Sequence, residues 1–130
     1  MKTLAISAVI LSITVSAYAD KVIDTIVYEA SSQSLEGQIA VASVIKTRMK
    51  QRRKTAVEVV LQPKQFSCWS NGKPTQSRTI KEKELAVARK AWSLAKPDKF
   101  NHYARYDCNP YWAKKAKSKI RIGDHVFYEL

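Results

Sequence analysis

Three glycines and four prolines in 130 residues leave no room for a collagen-like or linker-dominated chain. Two cysteines are too few for a disulfide-framework miniprotein or a four-cysteine zinc site. Two histidines, with no glycine-rich phosphate loop and no HExxH pattern, argue against nucleotide and metalloprotease chemistry. Neither a cofactor nor a metal is expected. Acid is scarce too: 11 Asp and Glu stand against 23 Lys and Arg, a formal charge of +12. What is present suffices for one core, since 45% of the chain is hydrophobic and its length is that of one domain.

Lys2 precedes an apolar run from Leu4 to Val15 that closes on Ser16-Ala17-Tyr18-Ala19. A basic start, an apolar stretch and a terminal Ala-x-Ala describe a secretory signal peptide. The expected division is therefore a signal segment, 1–19, and one domain, 20–130. The apolar run is shorter than the roughly 20 residues of a permanent membrane span. A releasable signal anchor is one alternative; a buried N-terminal helix is another, although residues 3–17 have no polar face. Export to a secreted or periplasmic location argues against a nucleic-acid partner. It also places Cys68 and Cys108 where a disulfide can form. Such a bridge is worth about 4 kcal/mol in the chain-entropy account. Two separate buried thiols are the other reading.

Val22, Ile23, Ile26, Val27 and Ala30 fall at helical spacing and predict a short helix ending near Ala30. Ser34 is a candidate N-cap for a helix over 35–51. Leu35, Ile39, Ala42, Ile45 and Met49 form its stripe, broadened by Val41 and Val44. Glu36 in the first turn and the basic cluster 46–54 at the end suit the helix dipole. Thr55-x-x-Glu58 and Thr79-x-x-Glu82 both read as capping boxes, opening helices over 56–62 and 80–96. Between them lies an aromatic loop with Asn71-Gly72 turn chemistry. Residues 101–112 read as irregular, 113–118 as a turn of helix, and 120–128 as a hairpin around Gly123-Asp124. The predicted fold class is mainly α (α+β).

Three features can carry chemistry. Glu29 sits among Ile26, Val27, Tyr28 and Ala30 near a helix end. A carboxyl in apolar surroundings keeps its proton to higher pH and can serve as a general acid for glycosidic cleavage. An ordinary solvated helix glutamate is the alternative. Phe66, Trp69, Tyr103, Tyr106, Tyr111 and Trp112 cluster in connecting segments. There they can stack on sugar rings or cap the core. The basic clusters 46–54 and 114–121 would attract anionic lipid or wall polymer, or simply solvate a surface.

Tyr28-Glu29-Ala30, followed by Glu36-Gly37-Gln38-Ile39-Ala40-Val41-Ala42-Ser43-Val44-Ile45-Lys46-Thr47-Arg48, resembles the opening of the SleB-like cell wall hydrolases, the spore-cortex-lytic enzyme family. Gln62-Pro63-Lys64-Gln65-Phe66-Ser67-Cys68-Trp69 is similar to that family's Gln-Pro-x-x-Phe-Ser loop. His102-Tyr103, Asn109-Pro110-Tyr111-Trp112-Ala113 and Ile122-Gly123-Asp124-His125-Val126-Phe127-Tyr128 resemble its C-terminal signatures. The pieces occur in order over residues 22–128. Ser31, Ser32 and Gln33 depart from a usual Glu-Ala-Arg-Gly-Glu run, Thr47 stands where Asn is common, and Ala104 replaces a second histidine.

The resemblance implies a lysozyme-like single domain with a small C-terminal β-hairpin, cleaving glycan between N-acetylmuramic acid and N-acetylglucosamine. It makes Glu29 the catalytic acid. Gln38, Phe66, Ser67, Trp69, His102, Tyr103, Tyr111 and Trp112 are then expected at the substrate. Two routes stay open: Glu36 acts as a second carboxylate, or Glu29 alone drives closure to a 1,6-anhydro sugar. Glu36 as a plain helix N-terminal charge is the other reading of that residue. The expected partner is peptidoglycan, approached by a monomer with transient contacts to anionic membrane or wall polymers. A non-catalytic secreted basic protein binding such polymers is the competing reading, and a cationic membrane-disrupting protein a weaker third.

Overall fold

The computed structural model describes residues 21–130, so the expected signal segment 1–19 lies outside the described residues. Residues 21–30 are helical (α1), followed by α2 (Leu35–Arg52) and α3 (Ala56–Leu61). A two-stranded hairpin, β1 (Trp69–Ser70) and β2 (Lys73–Pro74), precedes α4 (Glu82–Leu94). Then come β3 (His102–Arg105), a 3-10 turn (Tyr111–Lys115), β4 (Ser118–Ile122) and β5 (His125–Glu129). The second sheet is antiparallel, in the order β3-β5-β4.

Helix α2 is the axle. Val41, Ala42, Ser43, Val44 and Ile45 are all buried in succession, which requires neighbours on nearly every side. It packs on α3 and α4 and on the sheet strands β3 and β4. Ser34 caps it as expected, its hydroxyl accepting from the Gly37 amide at 3.3 Å. Arg53 closes it in the left-handed conformation, φ 53°. The capping box at Thr55 and Glu58 forms with both reciprocal bonds. Such caps contribute about 1 kcal/mol each.

One apolar cluster joins α1, α2, α3 and α4 through Ile23, Ile26, Val27, Ala42, Ile45, Val59, Val60 and Ala88. A second lies between α2 and the sheet, where Val41 and Val44 meet Phe127. Tyr103 of β3 packs against both. Each fully buried Val, Ile or Phe stabilises by roughly 1.5–3 kcal/mol, so these two clusters fix how α1 and β3 approach α2.

Four expectations need correcting. Helix α4 begins at Glu82 rather than 80 and ends at Leu94. Its cap is Lys81, whose amide donates to the Glu84 carboxylate at 3.0 Å, so Thr79-x-x-Glu82 is not the box. Residues 102–105 are strand, not irregular chain, because β5 pairs with them throughout. Helical geometry near residue 113 is 3-10 and starts earlier, at Tyr111. Cys68 and Cys108 are both free, one buried and the other exposed. The Cys68 thiol is enclosed by the apolar core, 1% exposed, while Cys108 sits on the surface.

Candidate functional site

Glu29 stands on the last turn of α1, which ends as the Ser31 amide bonds the Val27 carbonyl at 3.0 Å. Its side chain is half-buried at the seam between the two apolar clusters. The Tyr103 hydroxyl, reaching down from β3, donates to Glu29 Oε1 in a short hydrogen bond. Arg48 of α2 acts on the same carboxyl through its charge. Burial pushes the Glu29 carboxyl above the usual glutamate range and outweighs the opposing pull of the Tyr103 hydroxyl and the Arg48 charge. Tyr103 is itself raised well above an ordinary tyrosine, by burial first and then by the Glu29 charge. It therefore stays a donor.

Arg48 was not singled out among the site residues by sequence, where it looks like one cation in a basic run. It is 5% exposed. Its Nε donates to the Asn101 carbonyl at 2.8 Å, its guanidinium lies 5.3 Å from the Phe66 ring, and Nη1 is buried without a partner among the described residues. Burial lowers its pKa to about 10, so it remains cationic at neutral pH. Helical spacing carried a signal for it, since Val41, Val44, Ile45 and Arg48 fall at i, i+3, i+4 and i+7, on the buried face.

The connector between α1 and α2 is pinned by Gln33. Its Nε2 donates to Asp124 Oδ2 at 3.0 Å while its Oε1 accepts from the Asp124 amide at 3.0 Å. Two glycines make the room. A Cβ on Gly37 would lie 3.0 Å from the Gln33 Cβ, and one on Gly123, at φ 59°, would lie 2.4 Å from Gln33 Oε1. The loop carrying Phe66 is held in turn by Arg52, whose Nη1 donates to Gln62 Oε1 at 2.9 Å and Gln65 Oε1 at 3.1 Å.

The residues expected at substrate separate into several places. Tyr103 adjoins Glu29. Phe66, 2% exposed, belongs to the core, where it packs beneath Arg48; it has no face left for a sugar. Gln38 is also buried, and its Nε2 bonds the Gln33 carbonyl at 3.2 Å, which makes it a tie within the fold. Trp69 is half-buried against Tyr28, rings 5.8 Å apart, and its indole N–H is used by Thr25 Oγ1 at 2.8 Å. His102 lies on the face of β3 opposite Tyr103, 5.1 Å from the Trp112 ring. Burial and the charges of Arg48 and Arg52 lower its pKa to about 4, so it is neutral at pH 7. Ser67 is exposed and Tyr111 is 84% exposed. Glu36 is exposed in the first turn of α2 and is not among the groups acting on Glu29.

Fold and site together define a class: a small α+β protein arranged around a half-buried carboxyl that receives a phenol and feels the charge of a buried guanidinium. A sequence profile of cell wall hydrolases matches residues 32–128, and the chain belongs to that family. The matched segment starts three residues after Glu29. Among solved structures, the catalytic domain of the germination-specific lytic transglycosylase SleB from Bacillus anthracis superposes with a TM-score of 0.67. It is 24% identical over 86% of this chain and 94% of that one, and shares its fold. Comparison with curated protein sequences yields no match.

Proposed function

We propose that this cell wall hydrolase cleaves the peptidoglycan glycan strand between N-acetylmuramic acid and N-acetylglucosamine as a lytic transglycosylase, with Glu29 as its acid. The observation that carries the reading is the half-buried Glu29 carboxyl receiving the Tyr103 hydroxyl. Because Oε1 is occupied as an acceptor, the hydrogen of the neutral acid belongs on Oε2. From there it passes to the glycosidic oxygen as the C1–O bond breaks through an oxocarbenium-like transition state. The new carboxylate is stabilised by the Tyr103 hydrogen bond and the Arg48 charge. It then takes the proton of the muramic acid 6-hydroxyl while that oxygen bonds C1. The product is a 1,6-anhydro sugar, water is not consumed, and Glu29 is again neutral.

Support for this route over hydrolysis comes from the groups that act on Glu29 among the described residues, a phenol and a guanidinium and not a second carboxylate. Glu36, exposed on α2, is left its role as a helix N-terminal charge. Residues 1–19 serve export to the wall, and residues 20–130 form the catalytic domain. Mass spectrometry of digested sacculi tests the reading. Muropeptides lighter by one water are expected; reducing-end products overturn the anhydro route, and intact sacculi overturn the enzyme.

A further inference from the structure

The three-stranded sheet has a second face. Register places His102 and Ala104 of β3, Tyr128 and Val126 of β5, and Lys119 and Arg121 of β4 on one side, with Tyr103 and Phe127 on the other. The first side is not packed on α2. Trp112 covers its His102 and Tyr128 end, and the β4–β5 part beside it lines an open groove of 630 Å³ walled by residues 106–109. That volume is in the range of small-ligand sites. Val126 supplies an apolar base, with Tyr128 buried beside it, and Lys119 and Arg121 stand about 6.6–6.8 Å apart along one strand, two residues in register. Arg121 lies 4.0 Å from the ring of Tyr106, itself 48% exposed, so the guanidinium is held over a ring. Asp107, the carboxylate of the groove, is paired with Arg105 at 3.2 Å. Lys119 and Arg121 form no ion pair among the described residues.

We propose that this groove binds the carboxylate-bearing stem peptide of a peptidoglycan strand, on the face of the sheet opposite Glu29. The proposal rests on the reading of the chain as a peptidoglycan-cleaving enzyme and names a second component of that substrate. The chemistry fits a peptide acid. Arg121, whose Nε donates to the Gly123 carbonyl at 2.9 Å, presents its two Nη groups to a carboxylate, an ammonium adds a second point charge, the Asn109 amide can donate and accept, and Val126 meets an alkyl side chain. Lysine and arginine on an edge strand also discourage strand-to-strand aggregation, which β4 needs as the sheet's outer member. That role calls for neither a concave floor nor a ring held beneath Arg121.

The test uses the full chain carrying Glu29→Gln, so that substrate survives, with and without Lys119→Glu plus Arg121→Glu. A milder pair, Lys119→Gln plus Arg121→Gln, guards against misfolding. Co-sedimentation is measured with intact sacculi, with glycan stripped of its peptides and with anionic phospholipid vesicles. The expected result is about tenfold weaker binding to intact sacculi for the charge-reversed pair. Binding to stripped glycan is expected to be equal for both proteins. Unchanged binding to intact sacculi overturns the proposal, as does an equal loss on stripped glycan. A loss confined to anionic phospholipid vesicles assigns the groove to a membrane and also overturns it. With Glu29 intact, the Lys119 and Arg121 variants should cleave peptide-free glycan as the natural chain does. If the natural chain cleaves none while the charge-reversed pair still loses intact sacculi, the catalytic reading falls and the groove stands.

Discussion

Glu29 and Glu36 are the same residue type on either side of one short connector, and the fold treats them oppositely. Glu29 closes α1, half-buried, with its Oε1 taken by Tyr103 and its ionisation opposed by burial. Glu36 opens α2 in water, in the turn where the helix amides favour negative charge. The lesson is that a carboxylate's chemistry is set by which end of which helix carries it and by what covers that end. Burial decides the difference, and two side chains from later in the chain, Arg48 on α2 and Tyr103 on β3, offset it only in part.

The sharpest way to break this contrast is to neutralise each acid in turn. Glu29→Gln is expected to fold and lose 10²–10⁴-fold in turnover of sacculi, the usual range for a general acid. Glu36→Gln is expected to stay within about twofold. A Glu29→Gln enzyme keeping a tenth of its activity would remove Glu29 from catalysis. Tyr103→Phe comes next, with a loss of about 10- to 100-fold, the worth of a hydrogen bond to a charged group. It carries a signature beyond loss. The Tyr103 hydroxyl favours the carboxylate, so its removal raises the Glu29 pKa further and moves the alkaline limb of the pH–rate profile upward. A limb that stays put would separate Tyr103 from the acid.

Stability should move in opposite directions at the two sites. Glu29 has a folded pKa above its unfolded value, so its ionisation costs stability as pH rises from the ordinary glutamate range through the folded pKa. Glu29→Gln should therefore melt above the natural chain at pH 7–8 and level with it in acid. Glu36→Gln should lose about 0.3–1 kcal/mol through the helix dipole. Differential scanning calorimetry at two pH values reads both. The smallest effect contrasts the two thiols. Burial pushes Cys68 up to about 12 while Cys108 is exposed and unbridged, so dithiothreitol should shift Tm by less than about 1 °C.

Local signals were legible where local chemistry decides. The end of α1, the Ser34 cap, the Thr55–Glu58 box and the Gly123-Asp124 hairpin are each specified by a few neighbouring residues, and each forms. β3 was not legible, because His-Tyr-Ala-Arg has no strand periodicity of its own and is made extended by β5, more than 20 residues later. The cap of α4 falls two residues beyond the Thr79-x-x-Glu82 pattern, where Glu84 accepts from the Lys81 amide and also meets Arg78, 3.1 Å away. At the site, Glu29 stood out by its apolar neighbours, but its partners did not. Tyr103 read as one loop aromatic among six and Arg48 as one cation in a cluster. Phe66 read as a sugar contact because its loop position hides that Arg52 and two glutamines fold that loop inward.

Gln33 and Asp124, 91 residues apart, exchange one donor and one acceptor each way, and that traffic has a direction. An amide at position 33 can answer both the N–H and the carboxylate across from it; a glutamate there would set two anions face to face. A glutamate at position 33 would therefore call for a compensating change at 124, such as Asn, whose amide could donate where the Asp124 carboxylate accepts. The tip of a distant hairpin thus governs which residues are allowed to follow the helix that holds the acid.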